Sequence, residues 1–289
     1  MKPAPFDYVL ARSAAEALDH LGQVGADGKV LAGGQSLIPT LNFRLARPRL
    51  LVDINGATEL AGLREADGTL TVGALVRQRT LERWARTRLP LFADALPLVG
   101  HLATRTRGTV VGSLVHADPA AELPALLLAC DGAVVARGRA GERVIPGRDL
   151  YRGPLTTALD PDELATEARF ALPGDDAGWG FAEVARRHGD FALAGAAALV
   201  WRDPAGRVTR ARLAFFGVGG TPVLAGVAER VLAGETPTPS RIAEAARAAA
   251  ATLTPEADLH ATVEYRRRVA AVLAERTLAA AAGRARLPR

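Results

Sequence analysis

Val30-Leu31-Ala32-Gly33-Gly34-Gln35-Ser36-Leu37 runs from apolar residues into two adjacent glycines and then two polar side chains. The pattern reads as a buried strand, a tight turn and the first turn of a helix. Adjacent glycines let the backbone take positive φ and come close to a ligand. Successive N–H groups in such a turn converge into an anion-holding nest, and a helix starting at Ser36 adds its positive end. Together these suit a pyrophosphate. Taken alone, Gly33-Gly34 is better read as an ordinary strand-to-helix turn. A second turn of similar composition near residue 110 favours the phosphate reading.

Working outward, residues 37–45 read as a helix that must stop before Pro48. Leu50-Leu51-Val52-Asp53-Ile54 then reads as a second buried strand. Strand, helix and strand within this length make a βαβ unit. The glycine turn therefore lies at the carboxyl end of a strand, where open α/β sheets bind ligands. Upstream, Ser13-Ala14-Ala15-Glu16 is a capping box that opens a short amphipathic helix. Downstream, residues 70–73 read as a strand, and 80–88 and 91–99 as helices. Residues 133–136 and 143–145 read as a hairpin, and 163–172 as a closing strand.

Pro173-Gly174-Asp175-Asp176-Ala177-Gly178 is a turn-forming polar run and the best domain boundary. Beyond it, residues 180–187, 192–201 and 208–218 read as three strands, the last two joined by Asp203-Pro204-Ala205-Gly206. Alanine-rich helices follow at 240–252 and 258–282.

The composition narrows the function classes. The chain has 289 residues, 49% hydrophobic and 23% charged, ordinary values for a globular protein. No apolar run reaches the length of a membrane span, and the first seven residues lack the apolar centre of a signal peptide. The lone cysteine, Cys130, excludes an internal disulfide and an all-cysteine cluster within this chain. A reducing cytoplasm fits. The net charge of +5 comes from arginines dispersed along the chain. No dense basic block with interleaved aromatics marks a nucleic-acid surface; a partner with an acidic face explains the excess as well.

No standard catalytic pattern is present: neither G-x-G-x-x-G after a strand, nor G-x-x-x-x-G-K-[ST], nor H-E-x-x-H. The five histidines, His20, His101, His116, His188 and His260, are scattered, and Cys130 sits in an apolar run that suits a core. The chain offers a way to hold a phosphate-bearing cofactor without acid–base or nucleophilic machinery. That combination points to a cofactor that does its own chemistry.

Three stretches, Ala32-Gly33-Gly34-Gln35-Ser36-Leu37, Thr104-Arg105-Thr106-Arg107-Gly108-Thr109-Val110-Val111-Gly112-Ser113 and His116-Ala117-Asp118-Pro119-Ala120-Ala121-Glu122, closely resemble one family. It is the medium, FAD-binding subunit of the molybdenum hydroxylases, as in carbon monoxide dehydrogenase and xanthine dehydrogenase. Phe181-Ala182-Glu183-Val184-Ala185-Arg186-Arg187-His188-Gly189-Asp190-Phe191-Ala192 and Phe216-Gly217-Val218-Gly219-Gly220-Thr221-Pro222 resemble that family's C-terminal domain. The resemblance covers nearly the whole chain.

The resemblance implies an α+β fold: a two-lobed FAD-binding domain over 1–174, with a small parallel βαβ lobe at 1–57 and a larger α+β lobe at 58–174. A C-terminal domain over 175–289 would carry a three-stranded antiparallel sheet and helices. It further implies that the two turns grip the FAD pyrophosphate from two sides. The implied binding set is Lys29, Leu31, Ala32, Gly33, Gly34, Gln35, Ser36, Leu37, Thr104, Gly108, Thr109, Gly112, Ser113, Ala117, Asp118, Glu122 and Leu164. Asp118 and Glu122 fall where the family places polar contacts near the ribityl chain and ring, although Asp118 equally suits a helix N-cap and Glu122 a solvated first-turn acid. Arg105 and Arg107 face a phosphate, a partner or plain solvent.

The implied role is electron transfer from an iron–sulfur small subunit, itself fed by a molybdenum-cofactor large subunit. The alternatives are a stand-alone FAD oxidoreductase and a nucleotide-binding regulatory module without redox activity. The sequence departs from the family at Val111, where glycine is usual, and at Thr106, where asparagine is usual. A β-branched residue disfavours positive φ and crowds a nearby phosphate, so Val111 is expected to weaken FAD binding. Arg186 and Arg187 are candidates for the partner contact, with an exposed strand end as the plainer alternative.

Overall fold

The computed structural model describes residues 2–287. The chain opens with β1 (Asp7–Leu10), α1 (Ala14–Val24), β2 (Gly28–Leu31), α2 (Leu37–Asn42) and β3 (Leu50–Asp53). The three strands form a parallel sheet in the order β1-β3-β2, with Val30 opposite Val52 and Leu31 opposite Asp53. Helix α1 begins where the capping box places it. The Ser13 hydroxyl accepts from Glu16 N at 3.1 Å, while the Glu16 carboxylate accepts from Arg12 N at 2.7 Å. Its buried stripe, Ala14, Ala17, Leu18 and Leu21, recurs at helical spacing and packs toward the sheet.

The next part carries β4 (Leu63–Ala66), β5 (Thr69–Gly73), α3 (Gln78–Arg88), α4 (Pro90–Ala95), α5 (Leu102–Arg107), α6 (Val110–His116) and α7 (Glu122–Ala129). It continues with β6 (Ala133–Gly138), β7 (Gly141–Pro146), α8 (Gly147–Leu150), β8 (Tyr151–Gly153), β9 (Thr156–Thr157) and β10 (Leu164–Ala171). Five strands form an antiparallel sheet in the order β4-β5-β10-β6-β7. The closing strand read at 163–172 is thus central, flanked by β5 and β6.

The last part holds β11 (Gly178–Ala185), β12 (Ala192–Arg202), β13 (Val208–Phe216), β14 (Val223–Leu224), α9 (Gly226–Leu232), α10 (Pro239–Ala251) and α11 (Val263–Arg284). The three expected strands pair antiparallel, and the two-residue β14 adds an edge beside β13. Residues 192–200 of β12 are buried throughout, because α11 covers one face of the sheet and α7 the other. That explains the run of alanines. Gly178 and Gly180 let β11 press on α11: a Cβ there would lie 1.8 Å from the Ala281 carbonyl oxygen and 2.2 Å from that of Thr277.

Two buried clusters result. One runs through the first two parts and reaches Ala197, Leu199, Ala214 and Phe216 of the last sheet. The other lies between that sheet and α9, α10 and α11. The first cluster is continuous across the junction near residue 174, so the C-terminal sheet is held against the first two parts, and the loop before β12 reaches the site described next. Among the described residues no helix is long and apolar enough to cross a membrane.

Candidate functional site

Between the first sheet, helices α5, α6 and α7 and the loop before β12 lies a cavity of about 780 Å³, toward the upper end of the range for small-molecule sites. The glycine turn after β2 forms one wall. Gly34 takes φ +72°, in the left-handed region that glycine enters at far lower cost than residues with a Cβ. Helix α2 then starts after Ser36, whose side chain caps nothing. The first N–H groups to find acceptors inside the protein are those of Ile38, bonded to Gly34 O at 3.0 Å, and Thr40, bonded to Ser36 O at 3.1 Å. Among the described residues, the N–H groups of Gly34, Gln35, Ser36 and Leu37 have no such acceptor, and all four residues line the cavity. Four consecutive free donors at a bend suit a polyanion.

The second small-residue segment is built differently. Residues 102–107 are helical rather than a turn, and Thr109 is the N-cap of α6. Its hydroxyl accepts from Gly112 N at 3.1 Å, and a Cβ on Gly112 would stand 2.5 Å from that same oxygen. Val110 N is bonded to Val76 O and Ser113 N to Thr109 O. That leaves the N–H groups of Thr109 and Val111 without an acceptor among the described residues. Val111 lies in the first turn of α6 with ordinary helical backbone, and its side chain is buried. The expectation that a β-branched residue here would resist a positive φ is therefore corrected: the position needs none.

The two segments touch through Gly33. A Cβ at Gly33 would lie 2.5 Å from Arg107 O, 2.7 Å from Gly108 Cα and 2.9 Å from Thr109 N, all backbone atoms that cannot swing away. A polar bridge behind them holds the spacing. Asn55 Nδ2 donates to Ala32 O at 2.8 Å, Arg77 donates to Asn55 Oδ1 at 2.6 Å, and its other terminal nitrogen donates to Arg107 O at 2.7 Å. Sequence reasoning missed Asn55 and Arg77. The Asn55-Gly56 pair closing β3, one strand over from the glycine turn, was the available signal.

Of the sequence-derived residues, Lys29, Ala32, Gly33, Gly34, Gln35, Ser36, Leu37, Thr104, Gly108, Thr109, Gly112, Ser113, Asp118, Glu122 and Leu164 all line this cavity. Leu31 and Ala117 stand behind its wall: Leu31 is in β2 under the turn, and Ala117 is a buried left-handed C-cap with φ +54°. Asp118 caps a local turn, accepting from Ala120 N at 2.9 Å; the N-cap of α7 is Ala121 instead. Glu122 is buried, not solvated, and burial raises its carboxyl to about 7. Arg105 points inward and is held by Glu82 at 2.9 Å and by the carbonyls of Val99 and Gly100, so it faces neither phosphate nor partner.

Several wall residues carried no functional reading in the sequence. Gln78 is buried with its Oε1 unpartnered, close to Gly108. His101 and His116 line the cavity, and the His101 ring lies 6.2 Å from that of His188. Gly189, Asp190 and Phe191 reach over from the C-terminal part, Phe191 with 70% of its surface exposed. Arg186 is bonded to His260 Nδ1 at 3.0 Å. Cys130 is buried, and burial pushes its thiol up to about 12, so no thiolate forms near neutrality. Among the described residues no His, Cys, Asp and Glu group has the arrangement of a metal site.

The cavity thus has free backbone donors for a pyrophosphate, the carboxyl groups of Asp118 and Glu122, and apolar lining residues for rings. That donor set fits FAD. The comparisons with known proteins agree. Residues 4–173 match the family described as the FAD binding domain in molybdopterin dehydrogenase, and residues 179–281 match the CO dehydrogenase flavoprotein C-terminal domain. The chain is 43% identical over 99% of its length, and 97% of the relative's, to the 6-hydroxypseudooxynicotine dehydrogenase complex subunit alpha of Paenarthrobacter nicotinovorans. It is 35% identical to the carbon monoxide dehydrogenase medium chain of Hydrogenophaga pseudoflava, over 97% of this chain and 98% of that one. A solved structure of carbon monoxide dehydrogenase from the same organism, lacking the Mo-pyranopterin moiety of its cofactor, superposes with a TM-score of 0.95 at 36% identity, covering 99% of this chain and 100% of that one.

Proposed function

The chain belongs to the FAD-binding flavoprotein subunits of the molybdopterin dehydrogenases, and from that premise we propose how its residues hold the cofactor and what it works with. FAD supplies the electron chemistry when bound, taking electrons from one centre and giving them to another. The chain supplies binding and shape. Gly34, Gln35, Ser36 and Leu37 donate their backbone N–H groups to the pyrophosphate, with Thr109 and Val111 donating from the opposite side. Asp118 and Glu122 accept from hydroxyl groups along the cofactor. His101, Gly189, Asp190 and Phe191 bound the open end.

The observation that carries this reading is the row of four free N–H groups after β2, facing a second row across a contact that only a glycine at 33 permits. The domains follow: an FAD-binding domain over 1–174 with lobes 1–57 and 58–174, and a C-terminal domain over 175–289 whose Gly189-Asp190-Phe191 loop completes the cavity.

The partners are an iron–sulfur subunit and a molybdenum-cofactor subunit, working in the cytoplasm. The support is that the single cysteine, Cys130, is buried and too few for a cluster, and that among the described residues no His, Cys, Asp and Glu group is arranged to hold a metal. The exposed apolar residues Phe43 and Leu45, set among Arg44 and Arg47, suit a subunit interface. The test is reconstitution. The purified chain loaded with FAD is expected to leave a molybdenum-enzyme substrate unoxidised, and addition of both partner subunits should restore turnover with reduction of this flavin. Substrate oxidation by the chain alone would overturn the reading.

A further inference from the structure

Two carboxyl groups stand near the junction of the two domains, Glu122 on the cavity wall of the first and Glu183 on the face of β11 turned toward it, and neither has an ion-pair partner among the described residues. Glu122 stands first in α7 on the cavity wall, 6% exposed, and accepts from no donor but its own backbone N–H. Glu183 lies on β11. The even positions of that strand, Gly178 and Gly180, press on α11. Its odd positions face the first domain: Trp179 Nε1 donates to Asp94 on α4, and Phe181 packs against the first cluster, stacked on Phe216 of β13 with ring centres 5.7 Å apart. Glu183 continues that row, and its Oε2 is sealed from solvent with no partner.

A buried, unpartnered carboxylate oxygen is costly; a protonated carboxyl is much less so. Burial is the main cause that raises both groups, Glu122 to about 7 and Glu183 to about 8, and the charge of Glu122 raises Glu183 further. The other groups that act on Glu122 are Asp118, which raises it, and Arg105, which lowers it but is already bonded to Glu82. His116 of α6 shares the cavity wall. From β13, packed on α7, Arg212 reaches only the far end, at Leu128 O and Asp131. From α11, behind β11, Arg266 is bound to Asp258 and to the carbonyls of Leu193 and Gly217.

We propose that Glu122 and Glu183 form a proton-holding pair that takes up one proton from solvent when two electrons enter the flavin cavity. The proposal rests on reading that cavity as the FAD site. Negative charge added beside a carboxylate in a poorly solvated cavity raises its affinity for a proton. The step balances: the two electrons come from the reductant, which is the iron–sulfur partner or, in a titration, dithionite. One O–H bond forms on a carboxylate, one negative charge is cancelled, and no bond within the protein breaks. This proton is additional to any that the cofactor itself takes. Below about pH 6 both carboxyls already hold protons and the pair takes none; from pH 7 to 9 it is ionised in part and uptake appears.

The test is the midpoint potential of the bound flavin, followed by its absorbance, as a function of pH in the assembled complex carrying wild-type, E122Q or E183Q chain. For a two-electron couple a tenfold change in equilibrium is about 30 mV, so one extra proton steepens the dependence by up to about 30 mV per pH unit. The expected result is a steeper wild-type line above pH 7, lost in both variants, with all three parallel below pH 6. Parallel lines throughout, with flavin bound in every sample, overturn the pair and leave the FAD site standing. A wild-type complex whose chain carries no flavin overturns the FAD site instead. Should E122Q bind no flavin, E183Q decides, since Glu183 is not on the cavity wall. Infrared titration of the flavin-free chain gives a second readout: a carboxylic-acid carbonyl band titrating between about pH 7 and 8, diminished in E183Q. Its absence from the wild type also overturns the pair.

Discussion

The two small-residue segments that face each other across the cavity do the same job by different means. The first, after β2, leaves four consecutive N–H groups free and uses a positive φ at Gly34 to aim them. The second is a capped helix start, in which Thr109 already occupies the N–H of Gly112 and Val76 O that of Val110. The difference teaches that alike composition does not mean alike function. Gly33 and Gly34 are needed for close approach and backbone geometry, whereas Gly112 is small because Thr109 folds over it. The first segment should therefore dominate cofactor binding, and the second should chiefly fix its position.

The largest effect is expected at the contact itself. Gly33→Ala forces a Cβ into the backbone of Arg107, Gly108 and Thr109 and separates the segments. FAD retention should be lost while the circular dichroism spectrum stays near wild type; unchanged flavin content after gel filtration would show that the spacing does not matter. A moderate effect is expected at Val111, in stability and not in affinity. Val111→Gly removes a buried side chain and adds backbone freedom in a helix, costing roughly 2–4 kcal/mol. Denaturant unfolding should show that loss with no tightening of FAD. Tighter binding at unchanged stability would restore the view that the valine crowds a phosphate. The smallest effect belongs to Thr109→Ala. It removes one N-cap at about 1 kcal/mol and frees Gly112 N–H, so FAD affinity should change little. A loss of affinity as great as that of Gly33→Ala would erase the asymmetry between the segments.

Glu122 sharpens the comparison in another way, because it sits past the second segment. Its folded pKa is raised above the value of an exposed carboxyl. The folded state then binds the proton more tightly than the unfolded state. Its contribution to stability is full below about pH 4.5 and is lost as pH rises through about 7. Glu122→Gln should accordingly stabilise the flavin-free chain more at pH 8 than at pH 5, on the order of 2 kcal/mol, in thermal melts at both values. Equal shifts at the two pH values would mean that Glu122 is ionised and comfortable in the fold.

Much of this was legible in the sequence, and the reasons are local. Strand periodicity, the Ser13 cap, the Asp203-Pro204-Ala205-Gly206 hairpin and the glycine turn all act over a few residues, so their spacing reports the structure directly. The short edge strands β1 and β4 and the two-residue β14 were not legible, since their pairing is decided by distant partners. The stretch 102–113 misled because hydroxyl and glycine residues serve loops and helix starts alike; Thr109 turned out to be a cap. Asn55, Arg77 and Gln78 bond to residues 22 to 30 positions away in the chain, for which one sequence carries no spacing signal. Arg105 pointed the wrong way for a similar reason: its partner Glu82 lies on a different helix.

The most direct measurement is the position of the pyrophosphate in an experimental structure of the FAD-loaded complex. The account predicts both phosphates within hydrogen-bonding reach of the N–H groups of residues 34–37, with Thr109 and Val111 closing from the other side. A pyrophosphate held elsewhere in the cavity, out of reach of residues 34–37, would contradict it.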